Sequence, residues 1–362
     1  MVVKVESEDF EMGPAGVAAA APALAVADLT RQAALARSMG SLFVGAVLDA
    51  AARQLHRAPR LAARIADWPG DHAMAALALR VNAALHALAR RRGHPALTRL
   101  YERGEGDFDG VIGAVLAAEE AFILDWMAEP TQTNEVARSA AIMAALMVAT
   151  QGCPMPVALL ELGASAGLNL HCTRYRYDLG GRAAGRPDSP VIIAPQWRGP
   201  PPPAATPVIL TAEGVDRHPL DPGSAADRAR LLAYVWADQG ERLARLHAAL
   251  ALACHQPPRV TRGDVVDWIT ARLATPQPDG TARAIIHSMV LQYLDAGARA
   301  AVEAEIAQAG ACATAGRPLW RIAFEWTAAR DAVHLCLTRW PGGVTHHLAT
   351  CHAYGAWIAW HG

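Results

Sequence analysis

The sequence predicts an α/β protein in which an all-helical N-terminal region precedes a doubly wound, mostly parallel sheet. From residue 28 to about residue 152, apolar residues recur at helical spacing and no convincing strand is found. From Pro154 onward, short apolar runs alternate with helical stretches, an order typical of a parallel sheet. We therefore expect a flexible leader over 1–27, a helical cap domain over 28–130 and an α/β domain over 131–362.

Composition excludes several classes of function. The chain has 362 residues, and its 33 Lys and Arg nearly balance its 34 Asp and Glu. A general binder of nucleic acid or of anionic membranes normally has a basic surplus, so neither partner is expected. No run of apolar residues is long enough to span a bilayer, and six scattered cysteines without a CxxC pair are typical of reduced thiols. We expect a cytoplasmic protein with a small-molecule substrate.

Capping residues and breakers divide the front of the chain into helices. Asp28 and Ser41 are candidate N-caps, and Gly40 ends the first helix. Further helices are expected over 71–92 and 108–128. The segment Thr131-Gln132-Thr133-Asn134-Glu135 opens one more, which continues to about residue 150.

The back of the chain carries the predicted strands. Short apolar runs predict them over 157–162, 208–210, 259–261, 284–289, 320–326 and 333–337, with a mixed one over 344–354. Helices are expected over 225–253 and 296–309. Because the proline run 200–203 forbids ladder hydrogen bonds, we expect 180–207 to be an insertion without much regular structure.

The turn after the first strand is the strongest chemical signal. Residues 159–169 read LLELGASAGLN, in which a strand runs into small residues and then a helix. A dinucleotide site is disfavoured because Ser165 replaces the second glycine of GxGxxG. The letters also match the GxSxG elbow of serine hydrolases, but that elbow needs several strands upstream, where this chain is helical.

A nucleoside–sulfonium site is the third alternative for this turn. It requires an acid ending the first strand, a glycine-bearing turn, and acids after the second and third strands. The candidates occur in that order: Glu161, then Gly163, Ser165, Gly167 and Asn169 in the turn, then Asp216, then Asp264. A carboxylate accepts two hydroxyl hydrogens at once, which suits a ribose diol. Each acid alone is equally explained as a turn former or helix cap.

The first-strand segment resembles the first motif of class I S-adenosylmethionine-dependent methyltransferases. The chain from about residue 29 also resembles the bacterial domain-of-unknown-function family 2332, through residues 131–139, 160–170, 214–221, 286–294 and 352–357. The resemblance implies a Rossmann-like methyltransferase sheet, S-adenosylmethionine as cofactor, and no defined substrate. Ser165 stands where the methyltransferase pattern ExGxGxG has its middle glycine, and no Asn/Asp-Pro-Pro-Tyr follows the fourth strand.

Candidates for proton transfer follow the later strands. Methyl transfer to a hydroxyl or thiol requires a base, and His287 and Glu325 end the fourth and fifth predicted strands. Tyr293 is a further candidate. The alternatives are a structural histidine bonded to backbone for His287, which is the commoner role of such a residue, and pairing of Glu325 with an arginine such as Arg138.

Two further readings concern other ligands. Thr133 and Asn134 either cap a helix or line the methionine end of the cofactor. We expect no metal, because His346 and His352 share a strand face while His347 points away. The leading hypothesis is a methyltransferase acting on a small molecule. The alternatives are a non-catalytic nucleoside-binding protein and a hydrolase using Ser165.

Overall fold

The computed structural model describes residues 14–72 and 75–362. The chain divides into two compact units, one running to Thr131 and including Ala233–Gln239, the other formed by Gln132–Leu232 and Gly240–Gly362. The helices before Thr131 are α1 (Pro14–Ser38), α2 (Leu42–Gln54), α3 (Pro59–Ala66), α4 (Leu77–Arg91), α5 (Pro95–Arg103), α6 (Phe108–Ala118) and α7 (Glu120–Ala128), with a 3₁₀ turn at Leu55–Arg57.

The first unit confirms the helical front but shifts several helix ends. Ser41 caps α2 as predicted, accepting a hydrogen bond from the Val44 backbone N–H at 3.3 Å. Asp28, in contrast, lies inside α1, because the alanine-rich stretch before it has high helix propensity and continues the helix upstream to Pro14. Residues 1–13 of the expected leader lie outside the described residues. The helix expected over 71–92 begins at Leu77, after Ala76 in the left-handed region.

The second unit contains a nine-stranded sheet. Its strands are β1 (Val157–Leu162), β5 (Gln196–Arg198), β6 (Ile209–Asp216), β7 (Arg259–Arg262), β8 (Ala282–Ser288), β9 (Leu319–Trp326), β10 (Val333–Trp340), β11 (Val344–Cys351) and β12 (Trp357–Trp360). The order across the sheet is β5-β12-β11-β10-β9-β8-β1-β6-β7. The pairs from β9 to β7 are parallel, and β9 to β12 form an antiparallel meander.

The described residues of the second unit also form a smaller sheet, five α-helices and 3₁₀ helices that include Leu168–Arg174 and Leu291–Tyr293. The strands β2 (Arg176–Leu179), β3 (Arg182–Gly185) and β4 (Ile192–Ile193) pair in the order β3-β2-β4. The helices are α8 (Ser139–Thr150), α9 (Ala225–Tyr234), α10 (Gly240–His255), α11 (Val265–Ala274) and α12 (Ala296–Ala311). No helix in the described part of the chain is both long and apolar enough to cross a membrane.

The structure corrects three expectations for this half of the chain and adds one strand that was not expected. Residues 180–207 are not irregular, since β3 and β4 join the small sheet and β5 adds to the edge of the large sheet beside β12. The helix expected over 225–253 breaks between Tyr234 and Gly240. The short strand β12 was not predicted. The expected 131–150 helix starts only at Ser139, after a 3₁₀ turn at Val136–Arg138.

The parallel half of the sheet positions the site. From β1 the chain builds outward through β6 and β7, then returns to add β8 and β9 on the other side of β1. The strand order therefore reverses between β1 and β8, and in open α/β sheets ligands bind outside the carboxyl ends of the strands at such a point. Helices α11 and α12 cover one face of these strands through Leu160, Leu162, Val215, Ile285, Val302 and Ile306.

Candidate functional site

The turn after β1 alternates left-handed residues. Gly163, Ser165 and Gly167 have φ angles of 65°, 55° and 71°. A Cβ on Gly163 would lie 2.5 Å from Val290 Cγ2, and one on Gly167 would lie 2.6 Å from Pro258 Cβ. Protein atoms therefore occupy the space beside both glycines, and backbone conformation and packing account for glycine at these two positions.

The side chain of Asn134 forms hydrogen bonds to the backbone of this turn. Its Oδ1 accepts hydrogen bonds from the backbone N–H groups of Ala166 at 3.2 Å and Leu168 at 3.4 Å. The Asn134 side chain therefore supplies the acceptor that this tight turn lacks within its own backbone. Thr133 beside it is half-buried. Of the two proposed helix-start residues, the structure brings Asn134 directly into the turn.

Asp216, the last residue of β6, connects the second strand to the turn. Its Oδ2 accepts from the Ser165 backbone N–H, and its Oδ1 accepts from the His218 backbone N–H, both at 2.8 Å. An ionised carboxylate has about four acceptor sites. The half-buried Asp216 therefore retains capacity for further hydroxyl donors while it fixes the left-handed Ser165.

Asp264 follows β7 and caps α11. Its Oδ1 accepts from the Val266 backbone N–H at 2.8 Å, and its Oδ2 pairs with Arg217 at 2.8 Å. The Arg217 hydrogen bond lowers the pKa of Asp264 below its usual value. The neighbouring Gly263 N–H donates to the Asp216 carbonyl at 3.0 Å, so the structure brings the ends of β6 and β7 together.

Glu161 is a buried acid beneath the same turn. Its Oε1 accepts from Asn169 Nδ2 at 2.9 Å, and Asn169 Oδ1 accepts from Ser139 Oγ at 2.9 Å. Burial raises the pKa of Glu161 to about 8, the Asn169 hydrogen bond opposes this rise, and the Asp216 charge adds to it. At neutral pH Glu161 is therefore mainly a protonated acid.

Two polar atoms at this turn, Glu161 Oε2 and Ser165 Oγ, are buried and have no hydrogen-bond partner among residues 14–72 and 75–362. Buried polar groups are normally paired, so each unpaired atom requires an explanation. A ligand bound against the turn is one explanation that accounts for both. A nucleophilic serine needs a hydrogen bond to a base, and the Ser165 hydroxyl makes none to any residue that the structure describes.

His287 lies at the end of β8, in register with Leu162 of β1, and its side chain is fully buried. Its Nδ1 bonds Glu325 Oε1 at 2.7 Å, and its Nε2 accepts from Arg321 Nε at 3.0 Å. Both ring nitrogens are thus engaged within the protein. Of the alternatives for Glu325, the structure shows a bond to His287 and not the pairing with Arg138.

The other contacts of Glu325 order the loop after β8. Glu325 Oε1 also accepts from the backbone N–H groups of Val290 at 3.0 Å and Leu291 at 3.4 Å. The same loop carries Tyr293, which is exposed. His287 and Glu325 therefore position the segment that packs against Gly163.

Sequence reasoning missed a polar network next to this loop. Arg138 is buried and donates from Nε to the Ala353 carbonyl at 2.9 Å and from Nη1 to Ser288 Oγ at 3.2 Å. Glu135 pairs with Arg242 at 2.6 Å. The many polar residues in 131–138 pointed to Arg138 and Glu135 as possible site residues. No local pattern in the sequence pointed to Arg242. Within residues 14–72 and 75–362, no group of three His, Cys, Asp or Glu side chains is arranged to hold a metal ion.

Comparison with known proteins gives one match. The sequence model of a bacterial family described as "Uncharacterized protein conserved in bacteria (DUF2332)" matches residues 26–360. This confirms the resemblance drawn from the sequence to domain-of-unknown-function family 2332. No curated protein and no solved structure matches the chain.

Proposed function

The chain belongs to the DUF2332 family, and we propose that it is an S-adenosylmethionine-dependent methyltransferase acting on a small molecule. One observation carries the proposal. Three acids, Glu161, Asp216 and Asp264, occur in chain order at the carboxyl ends of β1, β6 and β7, which are neighbours in the sheet. A nucleoside laid across these strand ends would lie against Asp216 and Asp264, with Glu161 buried beneath the turn.

The order of the parallel strands supports this proposal. Counted along the chain, β7-β6-β1-β8-β9 has the order 3-2-1-4-5 of a Rossmann-like sheet. Class I methyltransferases are built on a sheet of this type. The loop after β1 lacks a basic cradle, as expected for a nucleoside ligand that carries no phosphate.

The side chains around the turn suit such a ligand. Asp216 has unused acceptor sites for a ribose diol. Ser165 Oγ and Glu161 Oε2 are unpaired polar atoms next to it, and the protonated Glu161 has a hydrogen to donate. Ser165 therefore replaces the usual middle glycine with a hydroxyl that has a hydrogen bond still to make.

Different residues of the site would have different roles in methyl transfer. When bound, S-adenosylmethionine supplies an electrophilic methyl group. Asp216 holds the ribose, and Asn134 keeps the turn in its left-handed shape. His287 acts through Glu325 on the loop that carries Tyr293, the remaining candidate for the acceptor's proton. Alignment of the reactants, worth up to about 7–11 kcal/mol, is then the larger contribution to rate.

A second candidate function is nucleoside binding without chemistry. It is favoured by the engagement of both His287 nitrogens, which leaves no free imidazole base at the end of β8. The hydrolase alternative is disfavoured by the Ser165 hydroxyl, which contacts no histidine in the described part of the chain.

Turnover separates the first two candidates. Purified protein is incubated with methyl-labelled S-adenosylmethionine and a panel of small hydroxyl, thiol and amine acceptors. A labelled product that disappears in Asp216→Asn supports the methyltransferase. Saturable binding of the cofactor with no product across the panel favours the non-catalytic candidate, and no binding at millimolar concentration overturns both.

A further inference from the structure

A cluster of three arginines and one acid lies beside the carboxyl end of β8. We call it the arginine cluster; it consists of Glu135, Arg138, Arg242 and Arg245. Glu135 Oε2 accepts from Arg242 Nε at 2.7 Å and Nη2 at 2.6 Å, and Arg245 Nη1 lies 3.9 Å from Glu135 Oε1. Glu135 also accepts from the Ala137 backbone N–H at 3.1 Å, so both oxygens of its carboxylate are engaged.

The charges of the arginine cluster do not balance. Three guanidinium groups face one carboxylate, and the side chains of Glu135, Arg242 and Arg245 are only 5%, 12% and 18% exposed. Burying a charge is costly unless it is paired. Burial lowers the pKa of Arg138, and the charge of Arg242 lowers it further, while Glu135 opposes both effects. An additional negative group would therefore stabilise the arginine cluster.

Arg138 has a donor to offer to such a group. Its Nε and Nη1 bond the Ala353 carbonyl and Ser288, but Nη2 donates no hydrogen bond to any residue within 14–72 or 75–362. Nη2 is not a buried unpaired atom; it remains in contact with solvent. Guanidinium N–H groups form strong, directional bonds to carboxylates and phosphates.

Aromatic side chains lie next to the arginine cluster. The Arg242 guanidinium carbon stands 4.1 Å from the centroid of the Tyr354 ring. The ring centroid of Phe324 stands 5.8 Å from the Arg138 guanidinium carbon, so a second aromatic ring borders the arginine cluster. Cationic donors next to aromatic faces make a site for an organic anion rather than for a bare ion.

The location separates this cluster from the proposed nucleoside position. Arg138 bonds Ser288 at the end of β8 and stands 5.8 Å from the ring centroid of Phe324 in β9. Asp216 and Asp264 lie on the other side of β1, at the ends of β6 and β7. A nucleoside held by the two acids therefore leaves the β8 side for a second molecule.

We propose that the arginine cluster binds the acidic group, a carboxylate or a phosphate, of the second ligand, which under the proposed function is the methyl acceptor. The site for an acidic group is inferred from the arginine cluster alone. Only the identification of its ligand as the methyl acceptor rests on the proposed function. The acceptor class is thus a small organic acid or phosphate ester.

Inorganic phosphate and malonate probe the site directly, with malonamide as the neutral control, in thermal-shift titrations of the full chain at constant ionic strength. Arg138→Lys keeps the charge but loses the fork, and we expect its apparent affinity for the anions to fall at least tenfold. Arg245→Gln, which removes a charge at the rim, should weaken binding severalfold. Arg80→Lys is the matched control, because Arg80 is a buried arginine of the other unit that also bonds backbone carbonyls. Circular dichroism checks that each variant folds.

No stabilisation of the wild type by either anion, or equal affinity in wild type, Arg138→Lys and Arg245→Gln, overturns the proposal. A second titration uses S-adenosylhomocysteine and 5′-methylthioadenosine, which lacks the amino-acid part. If Arg138→Lys weakens only S-adenosylhomocysteine, the arginine cluster holds the cofactor's own carboxylate and the assignment to an acceptor is wrong. If neither nucleoside binds while phosphate binding still depends on Arg138, the proposed function fails and the acidic-group site stands.

Discussion

Asn169 donates a hydrogen bond to Oε1 of Glu161 at 2.9 Å, while the other carboxyl oxygen of Glu161 stays buried and unpaired. A buried acid with one bonded and one unbonded oxygen is stable as the protonated form, because ionisation would leave a charge without compensation. The Glu161–Asn169 pair therefore places a neutral hydrogen-bond donor beneath the turn that we propose binds the nucleoside.

The pH dependence of stability tests the protonation of Glu161. Its folded pKa of about 8 lies above the unfolded value of about 4.3, so the folded state binds the proton more tightly. The free energy of unfolding should fall as pH rises from about 4.3 to 8, by on the order of 4 kcal/mol. Glu161→Gln cannot ionise, so its stability relative to wild type should rise by a similar amount between about pH 5 and 9 in urea unfolding. Parallel pH curves for the two proteins would contradict the assignment.

Asn169 links Glu161 to Ser139, and removing it should be costly. Asn169→Leu removes both the bond to Glu161 Oε1 and the bond from Ser139 Oγ, and it leaves the buried Glu161 Oε1 unpaired, which we expect to destabilise the fold by about 2–4 kcal/mol. Ser139→Ala is the matched control and should cost about 1 kcal/mol, since it leaves the Asn169–Glu161 bond in place. Chemical denaturation of the two variants and their double mutant measures the coupling, and additive effects would show that the three side chains do not act as a chain.

The turn glycines are constrained by the protein itself. Gly163→Ala should destabilise the fold by about 2–4 kcal/mol, because a left-handed residue with a Cβ costs about 1–2 kcal/mol and the new Cβ meets Val290. Gly152→Ala isolates the first effect, since Gly152 has φ 75° and nothing lies within 4 Å of an added Cβ. Adding Val290→Ala should recover part of the loss at Gly163. An equal loss of stability in Gly163→Ala and Gly152→Ala would show that contact with Val290 does not contribute.

Ser165 separates stability from binding. Its hydroxyl is buried and unpaired, so Ser165→Ala should stabilise the free protein by about 1 kcal/mol. The same variant should weaken the affinity for S-adenosylhomocysteine if the hydroxyl bonds the nucleoside. Thermal denaturation with and without the ligand measures both effects. A variant with unchanged affinity would exclude the hydroxyl from the site, and labelling of the wild type by a fluorophosphonate would revive the hydrolase alternative.

The fold was predictable where the sequence pattern is local. Strand β1 was predicted with both ends correct, because an apolar run stops at Gly163. The second strand was predicted over 208–210 but runs over Ile209–Asp216, since the exposed Thr211 and the half-buried Glu213 interrupt the apolar run. Short strands such as β12 depend on pairing partners that no local pattern records.

The same distinction applies to the site. The chain order of Glu161, Asp216 and Asp264 could be predicted because each lies at or just after the end of a strand. The bond from Asn134 to the turn, and the pairing of Glu135 with Arg242, join residues far apart in the chain. The engagement of both His287 nitrogens likewise depends on two side chains of β9, so a structural partner and a free base look alike in the sequence.

Calorimetric titration with S-adenosylhomocysteine tests the central claim most directly. Wild type should bind, and Asp216→Asn should bind at least tenfold more weakly, because one ribose acceptor is replaced by an amide donor. Asp295→Asn is the matched control: Asp295 likewise accepts from a backbone N–H, at the N-terminus of α12, and its variant should bind as wild type does. A ligand at about 100 times its Kd should also stabilise the fold by about 2.7 kcal/mol. No heat of binding at millimolar ligand, or equal affinity in wild type and Asp216→Asn, would contradict the account.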